Sequence, residues 1–340
     1  MSLSAENKAS PSEPDAFAIR MSRYGPPDVL TWEPTALVAL RGSEVRLRTL
    51  ASGVNYTDLR IRAGDWPIRR AHPFPYTPGV EVVGEIEAVG PDASTGLIGQ
   101  TVVTMMQGLG GVRAERAGGY ATHVVVDADT VAVMPASVDP FAMAALGLPG
   151  VTAWQGLRRL GPLRERRILI TGAAGGVGSA AVSLAAGQGA QVTAVVARPD
   201  QDDHLRRLGA ATVVVAARGA VPSLRPGSQD GVLDTVGGPL FGACVSALAP
   251  AGVLCLVGAV GGPEVAFDAW SLIQPVVLTG YSTETLTGED LREAVAALCT
   301  ALEAGAIRPP DYETLPLRQA ADAHRILEAR THRGRLLLTP

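Results

Sequence analysis

Aromatic residues make up only 4% of this 340-residue chain, so any core must be built from aliphatic side chains. Cysteine is scarcer still: Cys244, Cys255 and Cys299 all fall in the second half, without C-x-x-C spacing. That excludes a disulfide framework and a thiolate metal cage, and fits a reducing compartment. The five histidines, His72, His123, His204, His324 and His332, include no pair at metal-ligand spacing, so no zinc signature and no metal site is read here. There is no basic tract. Lys plus Arg number 29 against 33 Asp plus Glu, a net charge of −4, which gives no support to nucleic acid or an anionic membrane as partner. No apolar run reaches membrane-spanning length and no basic-then-apolar leader opens the chain, so the expected location is cytoplasmic. A G-x-S-x-G elbow is also missing, which removes the usual signal for acyl transfer.

What the chain does have is glycine, 39 of them, and 47% hydrophobic residues. The organising stretch is Arg167-Ile-Leu-Ile-Thr-Gly-Ala-Ala-Gly-Gly-Val-Gly178, followed by an alanine-rich segment through Ala186. Residues 168–170 read as a short buried parallel strand. Gly172, Gly175, Gly176 and Gly178 then turn the chain into a helix, with G-x-x-G-x-x-G spacing plus one further glycine. Such a turn lets bare backbone approach a pyrophosphate and aims unsatisfied N–H groups at it. The second strand of this unit ends Val195-Val196-Ala197 with no acid for a ribose 2′-hydroxyl; Arg198 follows at once. A guanidinium there suits a 2′-phosphate and favours NADPH, the other reading being a solvated loop arginine beside Asp200, Asp202 and Asp203.

Residues 1–15 are polar, Ser/Pro/Glu-rich and aperiodic, as in a disordered tail. From about 17 to 135 short strands alternate with turns, which predicts a β-rich, barrel-like domain. After Asp139 the texture changes. Residues 140–146 and 152–160 read as helices, and six strands (168–170, 191–196, 212–215, 231–234, 252–257 and 276–280) then alternate with helices. That predicts a doubly wound parallel sheet, an α/β fold. An amphipathic helix over 289–304 and a strand–helix–strand tail over 312–338 complete the chain. With no nucleophile or metal motif, hydride transfer by a bound cofactor is the chemistry left.

Gly53-Val-Asn-Tyr-Thr-Asp-Leu-Arg-Ile-Arg-Ala-Gly64 resembles the G-V-N-x-x-D-x-x-x-R-x-G segment of zinc-free quinone oxidoreductases in the medium-chain dehydrogenase/reductase superfamily. Pro78-Gly-Val-Glu81, Leu148-Pro-Gly-Val-Thr-Ala-Trp154, the 172–178 turn, Leu233-Asp-Thr-Val-Gly-Gly238, and His324-Arg-Ile-Leu-Glu-Ala-Arg330 with Gly334-Arg335 extend the similarity from about 17 to 340. The resemblance implies a GroES-like catalytic domain made from 16–138 and 286–340, with a Rossmann domain over 139–285 inserted into it. It also implies an active site in the cleft between them. Zinc-dependent relatives carry a catalytic cysteine in the slot of Asn55 and Gly-His-Glu in the slot of Gly79-Val80-Glu81, so both zinc ions are expected to be absent.

By position, the resemblance gives Gly175, Gly176, Val177 and Gly178 to the pyrophosphate and Arg198 to the 2′-phosphate. It gives Thr152, Gly258, Ala259 and Val260 to the nicotinamide, and Val236 with Gly237 to the adenosine side. Arg330 reaches the cofactor or is a helix-end charge. Asn55 aims its amide at the nicotinamide and the substrate carbonyl, or pins its turn. Arg60 joins it at the carbonyl, and Asp58 is structural. Arg60 and Trp66 stand where relatives often have tyrosine, and Ala216 replaces the usual tyrosine near the adenine. These departures argue against fatty enoyl-thioester reduction and leave the proton donor open between Tyr56, otherwise a cleft wall, and water. The resulting expectation is hydride transfer from NADPH to a quinone or an electron-poor enone by a homodimer paired through the last Rossmann strand. An enal or enone reductase on the same scaffold is the first alternative. An NADPH-binding structural or RNA-binding crystallin-like protein is the second.

Overall fold

The computed structural model describes residues 16–340 other than 70–71, 107, 110, 112, 114–115 and 333; the expectation for the tail at 1–15 lies outside them. The chain opens with an antiparallel pair, β1 (Ala16–Arg20) and β2 (Thr31–Thr35). β3 (Glu44–Gly53) alternates as its sequence demands, with Val45, Leu47 and Thr49 buried. α1 (Tyr56–Ala63) follows at once, and then β4 (Glu81–Val89), β5 (Thr101–Met105), β6 (His123–Asp127) and β7 (Ala132–Val133).

α2 (Pro140–Arg158) leads into an alternating series: β8 (Arg167–Ile170), α3 (Gly176–Gly187), β9 (Gln191–Val196), α4 (Asp202–Arg207), β10 (Thr212–Val215), β11 (Gln229–Asp234), α5 (Leu240–Ala247), β12 (Leu248–Leu256) and β13 (Val277–Gly280). All neighbours in this six-stranded sheet are parallel, in the order β10-β9-β8-β11-β12-β13. β8 starts in the middle and the chain winds outward on both sides, the doubly wound arrangement expected of the pattern.

α6 (Gly288–Glu303) buries Leu291, Val295 and Leu298, one face of the amphipathic helix expected over 289–304. β14 (Tyr312–Pro316), α7 (Ala320–Ala329) and β15 (Arg335–Thr339) form the tail. β15 pairs antiparallel with β3 at Leu337–Gly53 and Leu338–Ser52, so the C-terminus closes the sheet that the N-terminal half began. That sheet runs β14-β15-β3-β4-β5-β7, with β6 also on β3.

Where sequence periodicity indicates two helices, α2 is one element broken at Gly147 (φ 39°, ψ −141°). Pro149 explains the break: it has no N–H to donate, and its ring would strike the carbonyl four residues back. Among the described residues, no helix is long and apolar enough to cross a membrane.

Candidate active site

The turn after β8 is shaped by its glycines. Gly172 has φ 56°, and a side chain on Gly178 would overlap the Gly172 carbonyl, so the chain can pass this closely only without a Cβ. Gly175 is the N-cap of α3 and supplies no side chain, so the first-turn N–H groups of the helix keep their capacity for an external acceptor. They also stand at the positive end of the helix dipole, where an anion is stabilised.

The turns after β11 and β12 lie beside this cradle, because those strands follow β8 in the sheet. Asp234 ties them together. Its buried Oδ1 accepts from the Thr171 hydroxyl (2.5 Å) and from the backbone N–H groups of Val236 (2.9 Å) and Gly237 (3.1 Å). Gly261 N–H donates to the Val236 carbonyl at 2.7 Å, fixing the segment that carries Gly258, Ala259 and Val260. Thr152 is buried on α2 with its hydroxyl donating to the Leu148 carbonyl (2.8 Å). Arg198 stands just past β9, exposed, with Nε 3.3 Å from Asp200 Oδ1.

A second cluster lies between the two sheets. Gly147 breaks α2 and frees the N–H of Leu148, which donates to Glu81 Oε2 at 2.5 Å. Glu81 Oε1 accepts from Asn55 Nδ2 and from Arg335 Nη2, each at 2.7 Å. Arg335 Nη2 also donates to Asn55 Oδ1 (3.1 Å) and Nη1 to the Val54 carbonyl (3.2 Å). Glu81, Asn55 and Arg335 are all buried. Room for the carboxylate comes from two missing side chains, since a Cβ on Gly53 or on Gly147 would overlap Glu81.

The cluster touches the cradle. Arg335 Nη1 lies 3.7 Å from where a Cβ on Gly176 would sit, and Pro149 packs against the same residue. Arg335 Nε is buried with no partner among the described residues. A buried guanidinium with unused donors, beside an uncapped helix N-terminus, fits the pyrophosphate of a dinucleotide.

Behind Asn55, Asp58 Oδ2 accepts the Asn55 backbone N–H at 2.9 Å, the structural role expected of it. Burial, with Glu81 nearby, pushes the Asp58 carboxyl up to about 7. Tyr120 Oη lies 3.1 Å from His324 Nε2, and burial holds that imidazole neutral, its pKa lowered to about 3.

Comparison with known proteins agrees with this architecture. The alcohol dehydrogenase GroES-like domain family matches residues 41–136 and the zinc-binding dehydrogenase family residues 208–338. A quinone oxidoreductase of Pseudomonas aeruginosa is 30% identical over 339 residues, spanning 96% of this chain and 100% of its own. One from Sus scrofa is 29% identical over 333 residues, spanning 94% and 97%. The crystal structure of Escherichia coli quinone oxidoreductase complexed with NADPH is 25% identical, with a TM-score of 0.80 over 95% of this chain and 100% of that one. The chain belongs to the quinone oxidoreductase-like medium-chain dehydrogenase/reductases.

Within that family frame, the structure gathers Gly175, Gly176, Val177, Gly178, Val236, Gly237, Gly258, Ala259 and Val260 along one edge of the parallel sheet. Two residues carry alternative readings that their local contacts bear on. Asn55 is pinned within the protein, its Nδ2 facing the acceptor-only carboxylate of Glu81 and its Oδ1 the donor-only guanidinium of Arg335. Arg330 is the left-handed C-cap of α7, exposed, where a cation complements the helix dipole; the buried arginine beside the cradle is Arg335. Tyr56, the first residue of α1, and Arg60, in its last turn, are both exposed. The Arg60 guanidinium is 5.9 Å from the Tyr56 ring centroid and its Nε is 3.5 Å from Asp65 Oδ2. Among the described residues no three His, Cys, Asp or Glu side chains are grouped to hold a metal ion.

Glu81 and Arg335 were both visible in the sequence, within motifs of the family pattern, yet without a role. The available signal was a lone arginine leading the apolar strand Arg335-Leu-Leu-Leu338.

Proposed function

We propose that this protein is an NADPH-dependent oxidoreductase that delivers hydride to a quinone, or to a similarly electron-poor α,β-unsaturated carbonyl, without zinc. The observation that carries the reading is the uncapped N-terminus of α3 with the buried, half-satisfied Arg335 beside it. The first-turn N–H groups of α3 and the free donors of Arg335 hold the pyrophosphate. Arg198 takes the 2′-phosphate, exchanging its exposed contact with Asp200 for a stronger acceptor. Val236 and Gly237 back the adenosine half, while Thr152 and the 258–260 turn approach the nicotinamide. The cofactor, when bound, supplies the hydride.

The chain's own part is to orient and to exclude water. Tyr56 provides a wall for a flat substrate, and Arg60, half-exposed beside it, stabilises negative charge on the carbonyl oxygen. The hydroquinone anion takes its proton from water. An asparagine in the zinc-ligand cysteine slot, itself held by Glu81 and Arg335, supports the metal-free reading.

The test is cofactor titration by intrinsic fluorescence, NADPH against NADH, on the wild type and on Arg198→Ala. NADPH is expected to bind at least tenfold more tightly, and the mutant to lose most of that preference. Equal, weak binding of both nucleotides by the wild type would remove Arg198 from the site.

A further inference from the structure

We propose that Glu81 is a positioning residue that sets how tightly the α3 cradle holds a pyrophosphate, by restraining the charge of Arg335. This rests on the cofactor reading above. Glu81 meets three donors: the Asn55 amide, the Arg335 guanidinium and the Leu148 backbone N–H. Only a carboxylate accepts from all three. A glutamine would turn its own NH₂ toward at least one of them. The site is built for that carboxylate, since Gly53 and Gly147 leave out the side chains that would displace it.

The guanidinium is divided by this arrangement. Nη2 is fully committed, to Glu81 and Asn55; Nη1 spends one N–H on the Val54 carbonyl and lies beside Gly176 at the start of α3 with the other to offer, and Nε has no partner among the described residues. Arg335 thus presents donors to the cradle while a carboxylate at 2.7 Å, buried with it, offsets most of its charge. The cradle therefore binds a doubly anionic pyrophosphate less tightly than the helix N-terminus and a bare guanidinium would together. Glu81 acts as a brake on affinity that leaves the geometry of the donors in place.

A merely structural role predicts the opposite sign, because loosening Arg335 would weaken binding. The experiment measures Kd for NADPH and for inorganic pyrophosphate on the folded full chain, with wild type, Glu81→Gln, Glu81→Asp, Arg335→Gln, Asn55→Asp and the Glu81→Gln/Arg335→Gln double variant. Glu81→Gln is expected to tighten both ligands several-fold, and Glu81→Asp, which keeps the charge, to stay within about threefold of wild type. Asn55→Asp replaces the amide that donates to Glu81 with a carboxyl beside the same guanidinium, and should weaken both several-fold where that carboxyl pair is fully ionised, the weakening fading as the pair gains a proton at lower pH; this pH dependence, which a merely loosened Arg335 would not show, decides the matter if Glu81→Gln does not fold. The gain from Glu81→Gln should shrink in the Arg335→Gln background. Weaker binding by Glu81→Gln, no change or a pH-independent weakening in Asn55→Asp, or an equal gain with and without Arg335 would each overturn the proposal. Arg335→Gln alone tests the underlying reading: it should weaken both ligands at least tenfold, and no change there would remove the cradle assignment itself.

Discussion

Asp58 shows how a buried side chain becomes a pH term. Its carboxyl titrates near 7 in the folded protein against 3.8 in the unfolded chain, so between those values the native state holds a proton that the unfolded state has released. The stability this contributes is fully present below about 3.8 and is lost as pH rises through 7. His324 works in the other direction: buried and neutral, it favours folding above its unfolded value of 6.5 and loses that contribution as pH falls toward 3. Comparing wild type with Asp58→Asn isolates the first term, since the amide can still accept the Asn55 N–H. Urea unfolding should show the wild type losing stability relative to the mutant from pH 5 to pH 8, by up to roughly 1.4 kcal/mol per unit inside the window. A difference that is flat across this range would mean that Asp58 is already ionised when buried.

At the same scale lies the boundary of what the sequence discloses. The glycines of the cradle were legible because the turn is local: strand, spacing and helix fall within twenty residues. The Glu81–Arg335 pair spans 254 positions and joins β4 to the last strand, so no spacing announces it. Type and place alone single out Asn55 in the sequence, while the orientation of its amide is set by those two distant partners.

At the scale of the element, α2 carries the most information. The sequence reads it as two helices, over 140–146 and 152–160, and the structure places the break at Gly147, but the consequence of the break is not in the pattern. The freed Leu148 N–H becomes a ligand of Glu81, linking the helix that enters the parallel sheet to the strand that bears the carboxylate. Gly147 holds a backbone region essentially confined to glycine, and a methyl group there would overlap Glu81. Gly147→Ala should therefore destabilise the fold by more than the 1–3 kcal/mol typical of backbone strain alone, measured by denaturant unfolding. A loss below about 1 kcal/mol would show that the kink can relax without disturbing the carboxylate.

At the scale of the whole molecule, the two sheets meet where the chain crosses between them. β15 seals the first sheet, and its leading arginine reaches the cradle of the second. The last parallel strand, β13, lies at the sheet edge, with Val277, Trp270 (74% exposed) and Ile273 (70% exposed) uncovered along and before it. An unpaired apolar edge is a liability that pairing with a second copy removes, which is the physical ground for the homodimer expected from the sequence. Sedimentation at micromolar concentration should give a dimer for the wild type and a monomer for Ile273→Asp combined with Val277→Lys. A monomeric wild type would rule the homodimer out.

The most direct test of the central claim is turnover after metal removal. The protein is dialysed exhaustively against a chelator and NADPH oxidation is then followed with a simple quinone as acceptor. Metal-free hydride transfer predicts a rate unchanged by the treatment and unmoved by added zinc. Activity that disappears on chelation and returns with zinc would contradict the account, as would a chelated protein that binds NADPH yet never oxidises it with any quinone or enone.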